Sequence, residues 1–382
     1  MPPIPLLLSV GEASGDMYAA RLACALKARL DVQIFGMGGP QMQAAGVEIV
    51  MNYEEVAVVG ITEILKHLPS LLKAMDKLVA EAEKRKPALA ILTDFPGFHL
   101  RLARKLQPHG IRNVYYICPQ FWAWRPWRVK LIRRRFEKAL CIFPFEEEFF
   151  RSAGVSTEFI GHPLVGTVSA AKNRKQFCEE HDLAAGRALM TVLPGSRAGE
   201  LAHHLPVLQE ACARIDAKVP TQFVVAAAHL RDVEMLKEGW PVGLKVRVVE
   251  GETYDALAAA DAAIISSGTA TVEAALLDAP MVVVYRVSPL TAALAKPLVR
   301  APFFAMVNLI AEKKLVPELV QSDFTPEKVA GEALRLLQDP NARATMRAGL
   351  AEVRKRLGPP GAVERAADAI AGLLRRGAGN AS

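Results

Sequence analysis

Short runs of continuously apolar, β-branched residues alternate along the chain with longer segments whose apolar positions recur every three or four residues. The runs lie at residues 6–10, 32–35, 88–92, 113–117 and 139–142, and amphipathic stretches such as 17–28 and 100–107 separate them. A run that is apolar at every position suits a strand covered on both faces, whereas a period near 3.6 suits a helix with one buried stripe. Their alternation predicts a parallel sheet with helices on both sides. The pattern restarts after Pro163, with strands expected at 188–193, 222–227, 245–249, 262–265 and 280–284, and helices at 201–217 and 269–277. The reading is an α/β chain of two doubly wound domains, 1–165 and 166–345, joined near 164–186. The sequence "LGPPG" (residues 357–361) breaks one helix before a last one at 362–375. Residues 346–382 are read as C-terminal helices that pack back on the first domain.

Composition narrows the class. A chain of 382 residues holds two domains of ordinary size, and 51% hydrophobic with 23% charged residues is the balance of a globular protein. The most apolar window, 290–311, contains Lys296, Pro297, Arg300 and Pro302, which argues against a bilayer span. The start, "MPPIPLLLSV", lacks the basic flank of a signal peptide and reads as a first buried strand. Five cysteines without a Cys-x-x-Cys pair suit a reducing cytosol. The net charge of +7 is uneven: +5 over 1–165, −2 over 166–345 and +4 over 346–382. With the tail on the first domain, that lobe is strongly basic and is expected to face something anionic.

Four turns carry candidate chemistry. "SVGEASGD" (9–16) follows the first strand, where Gly11 and Gly15 would let the backbone approach a ligand while Glu12 and Ser14 project into the crevice. It is not Gly-x-Gly-x-x-Gly, so no nicotinamide cofactor is inferred. "LTDFPGF" (92–98) places Asp94 at a strand's carboxyl end. With an ordinary pKa of about 4 it would be ionised at neutral pH and able to take a proton, or it would simply cap the next helix. "LPGSRAGEL" (193–201) offers Ser196 and the forked donors of Arg197 to phosphate. "ISSGTATVEAAL" (265–276) sets Ser267, Gly268 and Thr269 at a helix start, a phosphate cradle by type, with Glu273 one turn on to accept from sugar hydroxyls.

A fifth segment, "CPQFWAWRPWRVKLIRRRF" (118–136), would shape a rim with Gln120 and Trp122. It continues as a basic helix with Arg125, Arg128, Lys130, Arg133, Arg134 and Arg135, suited to an anionic lipid surface or merely solvated. Residues 60–86 carry a helical apolar stripe, mostly core, with a part able to touch acyl chains. No Asp-x-Asp occurs, and the adjacent His203 and His204 diverge on a helix, so neither a metal nor any other cofactor is expected. Basic residues beside aromatics also fit nucleic acid, but no recognition motif for it is present.

Taken in order, "GEASGD", "GMGGPQMQAAG", "VVGITEIL", "DFPGF", "PQFWAW", "FPFE", "GHPL", "LPGSR" and "SGTATVEAAL" resemble the lipid-A-disaccharide synthases, glycosyltransferases of GT-B architecture. The resemblance spans nearly the whole chain. It implies two Rossmann-like domains facing a central cleft. It implies metal-independent, inverting transfer from UDP-2,3-diacylglucosamine to 2,3-diacylglucosamine 1-phosphate (lipid X), giving a β-1,6-linked disaccharide phosphate and UDP. It implies work at the inner face of the cytoplasmic membrane of Gram-negative bacteria. By this resemblance Asp94 is the base, with Glu12 the alternative or the acceptor's orienter. Ser196, Arg197, Ser267, Gly268 and Thr269 receive the UDP phosphates, and Glu273 holds the ribose. Asn308 contacts the donor, although Met306 and Val307 stand where the family has Leu-Pro. The rivals are another GT-B enzyme of UDP-N-acetylglucosamine, of muramyl-peptide transferase or 2-epimerase type, and a nucleic-acid-binding protein. Monomer and dimer both stay open.

Overall fold

The computed structural model describes residues 2–55, 61–124, 126–184, 186–288, 292 and 301–379. The chain forms two compact units, residues 1–163 with 358–382, and residues 164–357.

The first unit is built on seven parallel strands: β1 (Ile4–Ser9), β2 (Val32–Gly38), β3 (Glu48–Asn52), β4 (Leu89–Thr93), β5 (Asn113–Tyr116), β6 (Lys138–Cys141) and β7 (Thr157–Phe159). Their order in the sheet is β3-β2-β1-β4-β5-β6-β7. Leu6, Leu7 and Leu8 of β1 and Leu89–Leu92 of β4 have no exposed surface, because helices cover both faces of the central strands. The second unit repeats the plan with β8 (Ala188–Leu193), β9 (Thr221–Ala227), β10 (Val246–Glu250), β11 (Ala262–Ser266), β12 (Met281–Tyr285) and β13 (Glu318–Val320). Its order is β10-β9-β8-β11-β12-β13.

In each sheet the winding reverses beside the first strand, between β1 and β4 and between β8 and β11. Loops leaving such neighbouring strands part in opposite directions and open a crevice at the carboxyl edge, where ligands of doubly wound sheets bind. The four turns singled out in the sequence follow these four strands.

The C-terminal helices divide. The helix Pro340–Arg356 stays with the second unit, burying Met346, Leu350 and Val353, so the reading of all of 346–382 as one returning tail is corrected at its first part. Gly358, with φ +85°, makes the break, and a Cβ on it would lie 3.2 Å from the Gly161 Cα. The helix Ala362–Gly379 alone belongs to the first unit. There Asp368 pairs with Arg29 at 2.6 Å and Arg365 donates to the Ile160 carbonyl at 2.8 Å.

Candidate active site

At the first unit's switch point two turns are locked into each other. Asp94 and Phe95 both have left-handed backbone, φ 50° and 40°, a conformation that costs an L-residue on the order of 1 kcal/mol or more. This double bend turns the Asp94 side chain back toward the first turn, where Oδ1 accepts from the Gly11 N–H at 3.1 Å. Oδ2 is buried and has no hydrogen-bond partner. A Cβ on Gly15 would lie 2.0 Å from Oδ2, and one on Gly11 would lie 2.4 Å from Phe95. The two glycines therefore make room for the Asp94 turn. Asp94 is not the helix cap either: Phe95 occupies that position before the helix Pro96–Leu106.

Burial pushes the Asp94 carboxyl well above its ordinary range, the charge of Glu12 adds to this, and the Gly11 N–H opposes it. The expectation of an ordinary pKa is thus overturned. A carboxyl of this kind is a better base once ionised than a solvated one. Glu12 is exposed just before the helix Ala13–Lys27, and Ser14 Oγ donates to its Oε1 at 2.5 Å. Asp16, in the first turn of that helix, accepts from the Gly39, Gln41 and Met42 N–H groups. It caps the short helix Pro40–Ala44 and so ties "GEASGD" to "GMGGP".

Two residues not singled out in the sequence complete this corner. Tyr115 Oη donates to the Asp94 carbonyl at 2.6 Å, and His99 Nδ1 meets the same oxygen at 2.9 Å. His99 Nε2 lies 2.8 Å from Ser9 Oγ. Burial lowers the His99 pKa to about 4, so the ring is neutral, with Nδ1 carrying the proton that a carbonyl requires and Nε2 accepting from Ser9.

Three more motifs meet beside it. After β5, Ile117 is left-handed at φ 62°, and half-buried Gln120 leads into the short helix Phe121–Trp124. Trp122 Nε1 donates to Glu146 Oε1 at 3.2 Å, while Glu146 Oε2 accepts from the Phe143 N–H at 3.3 Å. Phe145 stands edge-on to Trp122 at 4.9 Å, and Phe143 lies 5.4 Å from His162. Thus "PQFWAW", "FPFE" and "GHPL" form one cluster at the carboxyl ends of β5, β6 and β7. Glu146 is fully buried and burial raises its pKa to about 7, offset in part by the Trp122 and backbone donors.

The basic helix is smaller than expected and its cations diverge. It spans Val129–Arg135 after a tight turn at Pro126–Arg128, and Arg125 lies outside the described residues. Arg133 packs near Gly154, while Lys130 and Arg134 are exposed to solvent. Arg128 and Arg135 instead line a groove of about 660 Å³ with Arg101, Arg104 and Lys105. Its floor includes Leu72, Met75, Val79, Leu100 and Leu131. Of the apolar stripe, Ile61, Ile64, Leu65 and Leu68 lie outside the described side chains. Among the described residues, no helix is long and apolar enough to cross a membrane.

In the second unit the turn after β8 is held by Glu200, whose Oε1 accepts from Arg197 at 2.9 Å and Oε2 from the Ser196 N–H at 3.2 Å. Ser196 and the Arg197 guanidinium remain exposed at the start of the helix Ala198–Asp216. After β11, Ser267 Oγ donates to the Phe304 carbonyl at 2.9 Å, and Gly268 and Thr269 are exposed ahead of the helix Ala270–Leu276. Glu273 is half-buried; Tyr254 Oη donates to it at 3.0 Å, and burial raises its pKa against that bond.

Asn308 has no exposed surface, and its amide is fully engaged. Oδ1 accepts from Leu315 and Val316, and Nδ2 donates to the Val316 carbonyl and to Glu318. Glu318 in turn accepts from the Phe304 and Ala305 N–H groups. Asn308 thereby supports the segment that Ser267 leans on.

His204 is buried, with Nδ1 against the Pro194 carbonyl and Nε2 accepting from the Arg286 N–H. Both ring nitrogens are engaged by backbone. Among the described residues Glu180, His181 and Glu252 bring ligand atoms within 4.8 Å of one another. The Lys172 ammonium already lies against both glutamates and supplies the positive charge there.

A family model described as lipid-A-disaccharide synthetase matches residues 6–369. The chain belongs to that family. It is 48% identical to the lipid-A-disaccharide synthase of Solibacter usitatus over 97% of both chains. It is 43% identical to that of Myxococcus xanthus, over 98% of this chain and 99% of the relative. Among solved structures it resembles a glycotransferase of kitacinnamycin (TM-score 0.66, 15% identity, 98% of this chain and 100% of that one). It also resembles the calicheamicin glycosyltransferase (TM-score 0.59, 18% identity, 98% and 99%). A putative UDP-N-acetylglucosamine 2-epimerase from Listeria monocytogenes is comparable (TM-score 0.65, 13% identity, 96% of each). At such identities these three speak for the GT-B fold alone, two Rossmann-like units, while the close relatives decide between synthase and epimerase. The protein is a glycosyltransferase of lipid A disaccharide synthesis, and its family acts on lipid A precursor sugars.

Proposed function

We propose that the protein joins UDP-2,3-diacylglucosamine to lipid X with inversion at the anomeric carbon, releasing UDP. The observation that carries this reading is the Asp94 carboxyl, with one oxygen on the Gly11 N–H and the other unpartnered. Asp94 is the base: it takes the proton of the acceptor hydroxyl as that oxygen attacks. Glu12, exposed and braced by Ser14, orients the acceptor, and Gln120 and Trp122 line its rim.

The second unit receives the donor. Arg197, Ser196, Ser267 and the N–H groups near Gly268 and Thr269 stabilise the charge that builds on the departing pyrophosphate, in place of a metal ion. Glu273 holds the ribose hydroxyls. The groove rimmed by Arg101, Arg104, Lys105, Arg128 and Arg135 supports contact with the anionic inner face of the cytoplasmic membrane, since among the described residues no acidic side chain lines it, and of these cations Lys105 is paired with Asp76.

The test is incubation with UDP-2,3-diacylglucosamine and lipid X in the presence of EDTA, with products read by mass spectrometry. The disaccharide 1-phosphate and UDP are expected in equal amounts. Absence of both rejects the substrate assignment, and a reaction that stops in EDTA rejects the metal-free mechanism.

A further inference from the structure

We infer that His99 and Tyr115 are positioning residues for the transfer, gripping the Asp94 carbonyl so that its carboxyl is held in the left-handed turn from which it meets the acceptor. This rests on the reading of Asp94 as base. Two consecutive left-handed residues without a glycine are unstable unless something over-determines them. Here one carbonyl oxygen receives two donors, Tyr115 Oη from β5 and His99 Nδ1 from the helix Pro96–Leu106. Both are fully buried, and Ser9 of β1 fixes the far side of the imidazole. The turn is thus tied to β1, β5 and its own helix, besides its packing against Gly11 and Gly15.

The protonation states suit a fixed grip. Burial lowers the His99 pKa to about 4 and raises that of the Tyr115 phenol, so neither donor changes over the working pH range. Serine, histidine and aspartate in file invite comparison with a hydrolytic triad, but the chemistry differs. The imidazole meets the peptide oxygen of Asp94 and not its carboxylate, and Ser9 is buried within its strand. There is no accessible nucleophile for His99 to activate.

The experiment compares Tyr115→Phe, His99→Leu and His99→Asn with the unaltered enzyme, measuring kcat, KM for both substrates and the pH dependence of kcat. Asparagine places its amide N–H close to where Nδ1 stands, so it keeps the donor, whereas leucine removes it. Tyr115→Phe and His99→Leu are expected to lower kcat by roughly 10- to 100-fold, the scale for a misplaced reacting group, with little change in KM. His99→Asn is expected to recover most of that loss. The groups that act on the Asp94 carboxyl are the charge of Glu12 and the Gly11 N–H, with the neutral Tyr115 phenol near by, while His99 meets only the Asp94 carbonyl. A loosened turn admits water to the carboxyl, so the acidic limb of the profile should move to lower pH in the two damaged variants.

A loss of kcat that only tracks the folded fraction, with the acidic limb unmoved, would overturn the positioning role, as would unchanged kcat in folded protein. Asp94→Asn separates the two levels. If it retains turnover, the base assignment itself fails. If it is inactive while the clamp variants behave normally, only the clamp is rejected.

Discussion

Gly15 stands against the buried oxygen of Asp94, so closely that a methyl group on it would lie 2.0 Å from Oδ2. An alanine in place of a helical glycine ordinarily stabilises by about 1 kcal/mol. Here the clash outweighs that gain, because the carboxyl is held by Gly11 and has nowhere to retreat. Gly15→Ala is expected to lower both the thermal midpoint and turnover while UDP affinity stays normal. A stabilised variant of full activity would show that the two turns are not packed as described.

The raised Asp94 pKa sets a sign for stability as well as activity. Between the ordinary carboxyl value and its own, the folded state holds a proton that the unfolded chain has lost, so stability falls as pH rises through that window. Asp94→Asn keeps the acceptor for Gly11 and removes the ionisation. It is expected to be inactive, more stable than the unaltered protein at neutral pH, and equal to it near pH 4. Urea denaturation at several pH values measures this; a variant less stable at neutral pH contradicts it.

Glu146 titrates near 7 and touches the indole N–H of Trp122. Intrinsic fluorescence should therefore change with a midpoint near pH 7. The change is expected to vanish in Trp122→Phe and in Glu146→Gln. A titration that persists in both variants points to another group.

Arg197 is braced by Glu200, and a hydrogen bond to a charged group contributes about 1.5–3 kcal/mol. Arg197→Ala should weaken UDP binding by roughly 10- to 100-fold. Glu200→Gln is expected to weaken it less, by leaving the guanidinium unsteered. Calorimetric titration with UDP reads both, and undiminished affinity in Arg197→Ala removes its phosphate role.

Arg104, in the helix Pro96–Leu106, and Arg128, in the turn Pro126–Arg128, line the same groove. Each cation near an anionic surface contributes on the order of 1 kcal/mol. The double change to glutamine should cut partition onto phosphatidylglycerol vesicles by about tenfold or more and leave phosphatidylcholine binding unaltered. Equal partition onto both vesicle types in the unaltered protein sinks the anionic-surface reading.

The central strands were plain in the sequence because both faces are covered and every position is apolar. The missed strands, β3, β7 and β13, all lie at sheet edges, where side chains such as Glu48, Glu158 and Glu318 break the run. Edge strand β10 escaped this through Val246, Val248 and Val249. The switch-point turns were legible because glycine and small polar residues mark strand ends. What those residues do was less so. Asp94 and Asp16 look alike on paper, yet one is a buried carboxyl with an unpartnered oxygen and the other caps a neighbouring helix. His99 and Tyr115 gave no signal, since an isolated polar residue inside an apolar stripe looks like any other core position. Asn308 was noticed by its motif, and the structure adds that its amide is saturated and bonded to Glu318.

The helix Ala362–Gly379 closes the first unit from beyond the second. A nascent polypeptide leaving the ribosome therefore completes its second unit, an unbroken stretch, while its first still lacks one wall. This later-made helix must find a surface made before the second unit, across nearly two hundred intervening residues. Premature termination anywhere before residue 358 would leave the part that carries Asp94 open along the helix Ala13–Lys27, however well the second unit had formed.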